Sequence, residues 1–121
     1  MKINRFNEIV EAETERIKSI LSKKQDEYNL DADRLSHFKR ASALAQTTPE
    51  KVLYGYMLKH IMSISDMVVT DETYSKELWQ EKMTDVHNYL ILLLALLEDD
   101  NMFAEKQPKK AERVRLVEEK K

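Results

Sequence analysis

Apolar side chains recur at every third or fourth position over long stretches of the chain. This spacing is typical of helices that bury one face. The first stripe consists of Ile3, Phe6, Val10, Ile17, Ile20 and Leu21, and it continues to Tyr28. It predicts a first helix of about 25 residues with a near-heptad pattern that is interrupted at Glu13. Such a stripe packs on its own core or on a second subunit, and the pattern does not choose between these two.

Turn and capping residues predict three more helices. Residues 29–33 are rich in Asn and Asp and predict a turn, and a second helix is expected over residues 32–45. Thr48 before Pro49 is a start signal for a third helix, which extends to Val69. A fourth helix is expected over residues 74–97. The facing apolar positions are predicted to be Leu53, Met57, Ile61, Ile64 and Val68 on the third helix and Val86, Leu90, Leu93 and Leu97 on the fourth.

The composition agrees with this helical pattern. Only 1 Gly and 2 Pro occur among 121 residues, and 35% of the residues are charged. Such a composition favours long helices over strands and turns. We therefore expect an all-α fold, similar to a four-helix bundle, with a single domain over residues 1–103. Residues 104–121 form a charged C-terminal tail, for which a short helix at 111–119 and disorder are both open.

Charge and residue usage exclude several classes of function. Residues 1–103 hold 13 basic and 18 acidic side chains, whereas residues 104–121 hold 7 basic and 4 acidic ones. An acidic body argues against nucleic-acid binding, which depends on clustered Lys and Arg. The absence of cysteine excludes disulfides and thiolate metal sites, and it fits a reducing compartment.

Membrane insertion and secretion are also not expected. The longest apolar run, residues 89–97, is much shorter than the roughly 20 residues that a membrane-spanning helix needs. The first residues lack the apolar segment of a secretion signal. We therefore expect a cytoplasmic protein without a membrane partner.

Two polar lines accompany the predicted apolar faces. Lys59, Ser63 and Asp66 share one face of the third helix, and Glu81, Asp85 and Asn88 share one face of the fourth. If the two lines face each other, the carboxylates of Glu81, Asp85 and Asp66 supply the oxygen ligands that Mg²⁺ prefers, and Lys59 meets a phosphate. The alternative is that Lys59 and Asp66 form structural salt bridges with Glu81 and Asp85.

Further candidate residues lie beside these lines. His60 and Tyr89 are candidate nucleotide-binding residues together with Lys59 and Asn88. The tyrosines either stack on a base or belong to the core. Gly55 destabilises the third helix by about 1 kcal/mol relative to Ala, which a close approach by another helix or a ligand would explain. On the first helix, Glu8, Glu11 and Glu15 share one face. They either form a second metal-binding wall or belong to a solvated face, and the sequence leaves both interpretations open.

Residues 54–99 contain the segments YGYMLKHIMSISDMV and WQEKMTDVHNYLILLLALLED. This region resembles the helical core of small phage and prophage proteins, the phage nucleotide-modification-associated domain family, and more distantly the MazG-like NTP pyrophosphohydrolases. The upstream stretch KKQDEYNLDADRLSHFKRA, which includes Tyr28, Arg34 and Phe38, is similar to the residues that precede that core in such phage proteins. The resemblance covers residues 23–99.

The resemblance implies a MazG-like core and a phage origin. It also implies that Mg²⁺ positions a nucleoside triphosphate for attack by water, with release of pyrophosphate. Glu81 and Asp85 correspond to metal ligands of these enzymes, although their spacing is ExxxD and Lys82 stands where the second motif has a glutamate.

These features support three hypotheses from different classes. The first is a phage-type nucleotide-binding protein, in one version a Mg²⁺-dependent nucleotide pyrophosphohydrolase. The second is a non-catalytic anti-defence protein that sequesters a host signalling nucleotide or inhibits a host protein. The third is a structural helical oligomer. Because long apolar stripes run along at least three helices, we expect a homo-oligomer in each case.

Overall fold

The computed structural model describes residues 1–28 and 33–105, and this part of the chain is all-α. Its four helices are α1 (Ile3–Tyr28), α2 (Ser36–Ala45), α3 (Pro49–Val69) and α4 (Lys76–Asp99). The described residues include no strand, so the predicted all-α class is confirmed. The predicted helix at 111–119 lies outside the described residues.

Side-chain caps set the starts of the helices. The Thr48 hydroxyl accepts from the Lys51 backbone N–H at 3.3 Å, so α3 begins at Pro49 as predicted. Ser75 caps α4 in the same way, accepting from the Leu78 N–H at 3.1 Å. The prediction for α2 was wrong at its start. The Asp33 carboxylate accepts from the Leu35 N–H at 2.9 Å and holds a turn, so the helix begins at Ser36 rather than near residue 32.

The core lies where α2, the first half of α3 and the second half of α4 meet. Helices α3 and α4 are antiparallel, because Leu53 and Leu96 share one buried cluster while His60 lies beside Tyr89. Leu53 and Leu96 are fully buried, and Leu35 and Phe38 complete the cluster. Outside this cluster, the Lys39 ammonium contacts the carboxylates of Asp33 at 2.8 Å and Asp99 at 2.7 Å, which ties α2 to the end of α4.

The predicted facing positions were partly wrong. Leu53 and Met57 are buried as expected, but Ile61, Val68 and Leu90 are 40%, 67% and 49% exposed. On α4 the buried residues are Thr84, Asn88 and Leu96, so two polar side chains face the interior. The physical reason on α4 is that this helix contacts α1 as well as α3, so its buried positions are not those of a face that packs on α3 alone.

Helices α1 and α4 run in the same direction. The Glu13 carboxylate contacts Thr84 and His87, and Leu21, two turns further along α1, shares a cavity with Leu92 on α4. Upstream of Glu13 every residue of α1 is exposed. None of the described helices is both long and apolar enough to cross a membrane.

Candidate functional site

A cavity of about 200 Å³ lies against the middle of α4. All four helices contribute to its wall, and α4 contributes most. The lining residues are Leu21 from α1, Arg34 from the turn before α2, His37 and Phe38 from α2, Tyr56 from α3, and Asp85, Asn88, Tyr89 and Leu92 from α4. The four α4 residues recur at i, i+3, i+4 and i+7, so a single helix face supplies a carboxylate, an amide, a phenol and the apolar side chain of Leu92.

Asn88 is the least satisfied polar side chain of this wall. It is only 4% exposed, and neither its amide nitrogen nor its amide oxygen has a hydrogen-bond partner in the described part of the chain. A buried polar group without a partner costs about 1–3 kcal/mol, so native structures rarely retain one without a reason. The structure therefore holds a donor and an acceptor at the cavity wall that nothing among the described residues uses.

Aromatic rings form a further part of the wall. The Phe38 ring lies edge-on to the His37 ring, with centroids 5.8 Å apart, and both rings lie within 6.3 Å of the Tyr56 ring. On the other side, the ring of Tyr89 lies 5.2 Å from that of His60. These are the separations of interacting aromatic pairs, so the rings support one another and present a firm apolar surface to the cavity.

The charged groups of the cavity come from two elements. Arg34 is half-buried and makes no ion pair within 4 Å with another described residue. The Asp85 carboxylate lies 3.5 Å from the Nδ1 of His60, and both side chains are less than one-third exposed. A guanidinium, a carboxylate and a buried amide therefore border a space that is otherwise mainly aromatic.

No protein family, curated protein or solved structure matches this chain. The resemblance to the phage and MazG-like families therefore depends on the sequence segments alone. The interpretation of the cavity depends on its own geometry.

The structure brings some of the predicted site residues together and separates others. Asp85, Asn88 and Tyr89 line the cavity, and His60 lies beside Tyr89 and Asp85. The remaining predicted residues are exposed and do not line it. These are Lys59, Glu81 and Asp66.

The predicted metal ligands are not grouped together among the described residues. Within the described ranges, no three His, Asp or Glu side chains are grouped so that they could hold one ion. Glu81 and Asp66, two of the three proposed ligands, are exposed. The Mg²⁺ site therefore stays a prediction from the sequence. The alternative of salt bridges from Lys59 and Asp66 is also not observed, since no ion pair joins them to Glu81 or Asp85.

Sequence reasoning missed the contribution of α2. Arg34 and His37 line the cavity, but nothing in the local pattern distinguishes them from solvated helix residues. A signal was available in the aromatic pair Phe38 and Tyr56, because two large rings on successive helices indicate where those helices cross. The cavity thus combines α4 and Tyr56 of α3, as the predicted cleft did, with residues of α2 and with Leu21 of α1.

A second polar cluster joins α1 to α4. The Glu13 carboxylate accepts from the Thr84 hydroxyl at 2.8 Å and from the Arg16 guanidinium at 2.9 Å, and it contacts the Nδ1 of His87 at 2.6 Å. Burial raises the pKa of Glu13, but the hydrogen bonds from Thr84, His87 and Arg16 together lower it by a larger amount. The net pKa therefore lies below its ordinary value. Beside this cluster, an open groove of about 670 Å³ separates the first half of α1 from the start of α4.

Proposed function

We propose that this protein binds a nucleotide or a nucleotide-like small molecule in the cavity on α4. The observation that carries the proposal is Asn88, whose buried amide offers an unused donor and acceptor at the wall of an aromatic space. An amide of this kind pairs with the donor and acceptor edge of a nucleobase, as Asn does with adenine in nucleic-acid recognition. Apolar pockets with a few convergent polar groups are the usual form of small-molecule sites.

The rings support the choice of a planar ligand. His37, Phe38 and Tyr56 form one aromatic surface, and Tyr89 lies on the α4 side of the cavity. Stacking of a base on an aromatic side chain contributes about 1–3 kcal/mol. Pockets for drug-sized ligands usually measure about 300–1,000 Å³, so this smaller cavity would enclose the base and leave the sugar and phosphate outside.

Arg34 is the residue that would meet a phosphate. Its guanidinium lies in the cavity wall without a carboxylate partner among the described residues, and Arg binds phosphate through paired N–H groups. Lys59, which the sequence suggested for this role, is exposed and does not line the cavity. Asp85 would accept from a sugar hydroxyl or a base N–H.

Binding without hydrolysis is the version that the geometry favours. The described acidic residues provide no group of ligands for a metal, so we assign no step of bond cleavage to them. The protein would then act as a receptor or sponge for its ligand, which agrees with the non-catalytic hypothesis. Contacts to the base and to the phosphate would together determine which nucleotide the protein selects.

Calorimetric titration with a panel of nucleoside mono-, di- and triphosphates tests the proposal. We expect at least one nucleotide to bind, and Asn88→Leu to weaken it by about tenfold or more while the protein remains folded. Leu branches at Cγ as Asn does and needs no hydrogen bond, so we expect the variant to remain folded in a thermal melt.

Two matched pairs of variants locate the site. Tyr56→Leu should weaken binding, whereas Tyr54→Leu, on the exposed side of the same helix, should not. Arg34→Gln should weaken phosphorylated ligands more than nucleosides, whereas Arg40→Gln on α2 should have no effect. Equal effects within either pair would contradict this location. Release of pyrophosphate from a triphosphate in the presence of Mg²⁺ would favour the hydrolase instead.

A further inference from the structure

Helix α1 lies beside the core and contributes no residue to it. The buried cluster belongs to α2 with its preceding turn, to α3 and to α4, and it consists of Leu35, Phe38, Leu53 and Leu96. Among residues 3–23 of α1, whose side chains the structure describes, none is buried. Helix α1 packs on α4, so most of the stabilisation from apolar burial belongs to the other three helices.

The contact between α1 and α4 begins at the Glu13 carboxylate. This group accepts from the Thr84 hydroxyl at 2.8 Å, and Thr84 is fully buried. About two turns later, Leu21 of α1 and Leu92 of α4 line the same cavity. Because the two helices run in the same direction and rise equally per residue, they stay in register between these two points.

Asn88 lies between these two points on α4. It follows Thr84 by one turn and precedes Leu92 by one turn, so all three residues lie on the side of α4 that faces α1. On α1, Ile17 follows Glu13 by one turn and is half-buried at this level. The Asn88 side chain is only 4% exposed, and docked α1 therefore helps to exclude water from it.

The position of Asn88 makes the docking of α1 less favourable. Neither the nitrogen nor the oxygen of its amide has a hydrogen-bond partner among the described residues. When α1 separates from α4, water can bond to both atoms, and this hydration is lost again when α1 docks. A ligand that pairs with the amide removes this penalty, so it binds the docked state more tightly than the released state.

We propose that α1 is a lid that responds to the ligand: it is held loosely on α4 in the ligand-free protein and closes firmly when a ligand pairs with Asn88. The Glu13 cluster sets the register in which the lid closes, and Leu21 completes the cavity wall. The coupling is reciprocal, because a ligand that favours docked α1 binds more weakly when α1 is released. The role of the ligand rests on the function proposed above, whereas the effect of the amide on α1 does not.

Amide hydrogen exchange of the ligand-free full chain tests the effect of the amide. An isolated helix is only marginally stable in water, so exchange in residues 13–21 reports the release of α1. Asn88→Leu removes both polar atoms and should slow exchange there, relative to α3, by about fivefold or more. Asn88→Asp keeps the shape of the side chain but buries a charge, and it should accelerate exchange in the same residues.

Ser36 provides the matched control. Its hydroxyl is also buried without a partner among the described residues, but it lies on α2. Ser36→Ala should therefore leave exchange in residues 13–21 as in the wild type. The proposal is overturned if Asn88→Leu does not slow exchange in α1 relative to α3, if Asn88→Asp does not accelerate it, or if Ser36→Ala slows it as much as Asn88→Leu does.

The effect of a ligand is tested with ATP, because Asn amides pair with the edge of adenine. In the wild type, bound ATP should slow exchange in residues 13–21 by about fivefold or more, and this slowing should be absent in Asn88→Leu. ATP that binds by calorimetry without slowing exchange in α1 would show that the lid is wrong while the proposed function stands. Absence of ATP binding would count against the proposed function alone, and the ligand-free variants then decide whether the amide controls α1.

Discussion

The two ends of α4 are held by different physical means. At its C-terminal half, Leu96 packs with Leu53, Leu35 and Phe38 in an apolar cluster. At its N-terminal half, Thr84 meets the Glu13 carboxylate of α1 through a hydrogen bond that spans 71 positions of sequence. The apolar cluster holds α2, α3 and α4 together, whereas a polar cluster holds α1 against them.

This difference has a consequence for stability and for specificity. Apolar burial is the larger source of stability and is not directional. A half-buried carboxylate with partners on the facing helix adds less stability, but it favours one register, because in another register the buried Thr84 hydroxyl loses its acceptor. We therefore expect α1 to separate from α4 more readily than the other three helices separate from one another.

The largest expected effect on the free energy of unfolding comes from a substitution in the apolar cluster. Leu53→Ala removes a fully buried side chain and leaves a void, which should lower the free energy of unfolding by about 2–5 kcal/mol. Urea denaturation measures the change. Leu94→Ala makes the same substitution on α4 at a position that is 57% exposed, and it should change the free energy by less than about 0.5 kcal/mol. Similar losses for both variants would contradict the assigned core.

A smaller and more local effect is expected on the polar side. Glu13→Ala leaves the buried Thr84 hydroxyl without its acceptor and removes the contacts to Arg16 and His87, at about 1–3 kcal/mol. Faster amide hydrogen exchange in α1 than in α3 is the expected signature. Glu11→Ala, on the exposed face of α1, should leave exchange unchanged. If Glu13→Ala accelerates exchange equally in all helices, α1 is not a separate unit of stability.

The protonation of Glu13 gives a further way to distinguish the polar contact of α1 with α4 from the apolar cluster. Burial raises its pKa, and the hydrogen bonds from Thr84, His87 and Arg16 lower it to a net value below 4.5. A depressed pKa in the folded state stabilises α1 above the unfolded pKa, and this contribution is lost as pH falls through the folded-state value. The contact between α1 and α4 should therefore weaken below about pH 4.5 while the apolar cluster persists.

Trp79, the only tryptophan, lines the groove between α1 and α4 and reports this change by its fluorescence. Titration from about pH 6 to about pH 3 should show a transition in the wild type before the far-ultraviolet circular dichroism changes. In Glu13→Gln, which cannot ionise, the early transition should be absent. Coincident transitions of fluorescence and circular dichroism in the wild type would assign the acid sensitivity to the whole fold.

The helices were largely predictable because local chemistry sets their limits. Thr48 and Pro49 begin α3, and Ser75 caps α4, through contacts within a single turn. The start of α2 was predicted too early, because the sequence pattern places Asp33 in the helix. Its carboxylate instead holds the turn that precedes the helix. The ends of the helices thus depend on residues that are close in sequence, so they can be predicted from the sequence of one chain.

The candidate site was only partly predictable because it depends on neighbours in space. Asp85 and Asn88 belong to a polar line that is visible in the spacing of an apolar helix, and both line the cavity. Arg34 and His37 were not predicted, because their position depends on how α2 crosses α4. Thr84 gave no signal either: its role exists only once Glu13 has been brought to it from 71 positions away.

The smallest expected effect concerns Gly55, and it tests whether α3 is free of close neighbours on that side. The sequence suggested that a helix or ligand approaches this residue; a Cβ added there would meet nothing within 4 Å in the described part of the chain, so the helix is excluded there and the ligand stays a prediction. Gly55→Ala should therefore raise the free energy of unfolding by about 0.5–1 kcal/mol, because Ala loses less backbone entropy in a helix.

Chemical denaturation measures this gain, with Ser65→Ala as the control at an exposed position of the same helix, where a smaller gain is expected. Since α3 belongs to the apolar side, the gain should slow exchange in α2, α3 and α4 together and leave the contact of α1 unchanged. A loss of stability would mean that the Cβ does meet a neighbour. A gain in stability with weaker self-association or ligand binding would place that neighbour in a partner molecule.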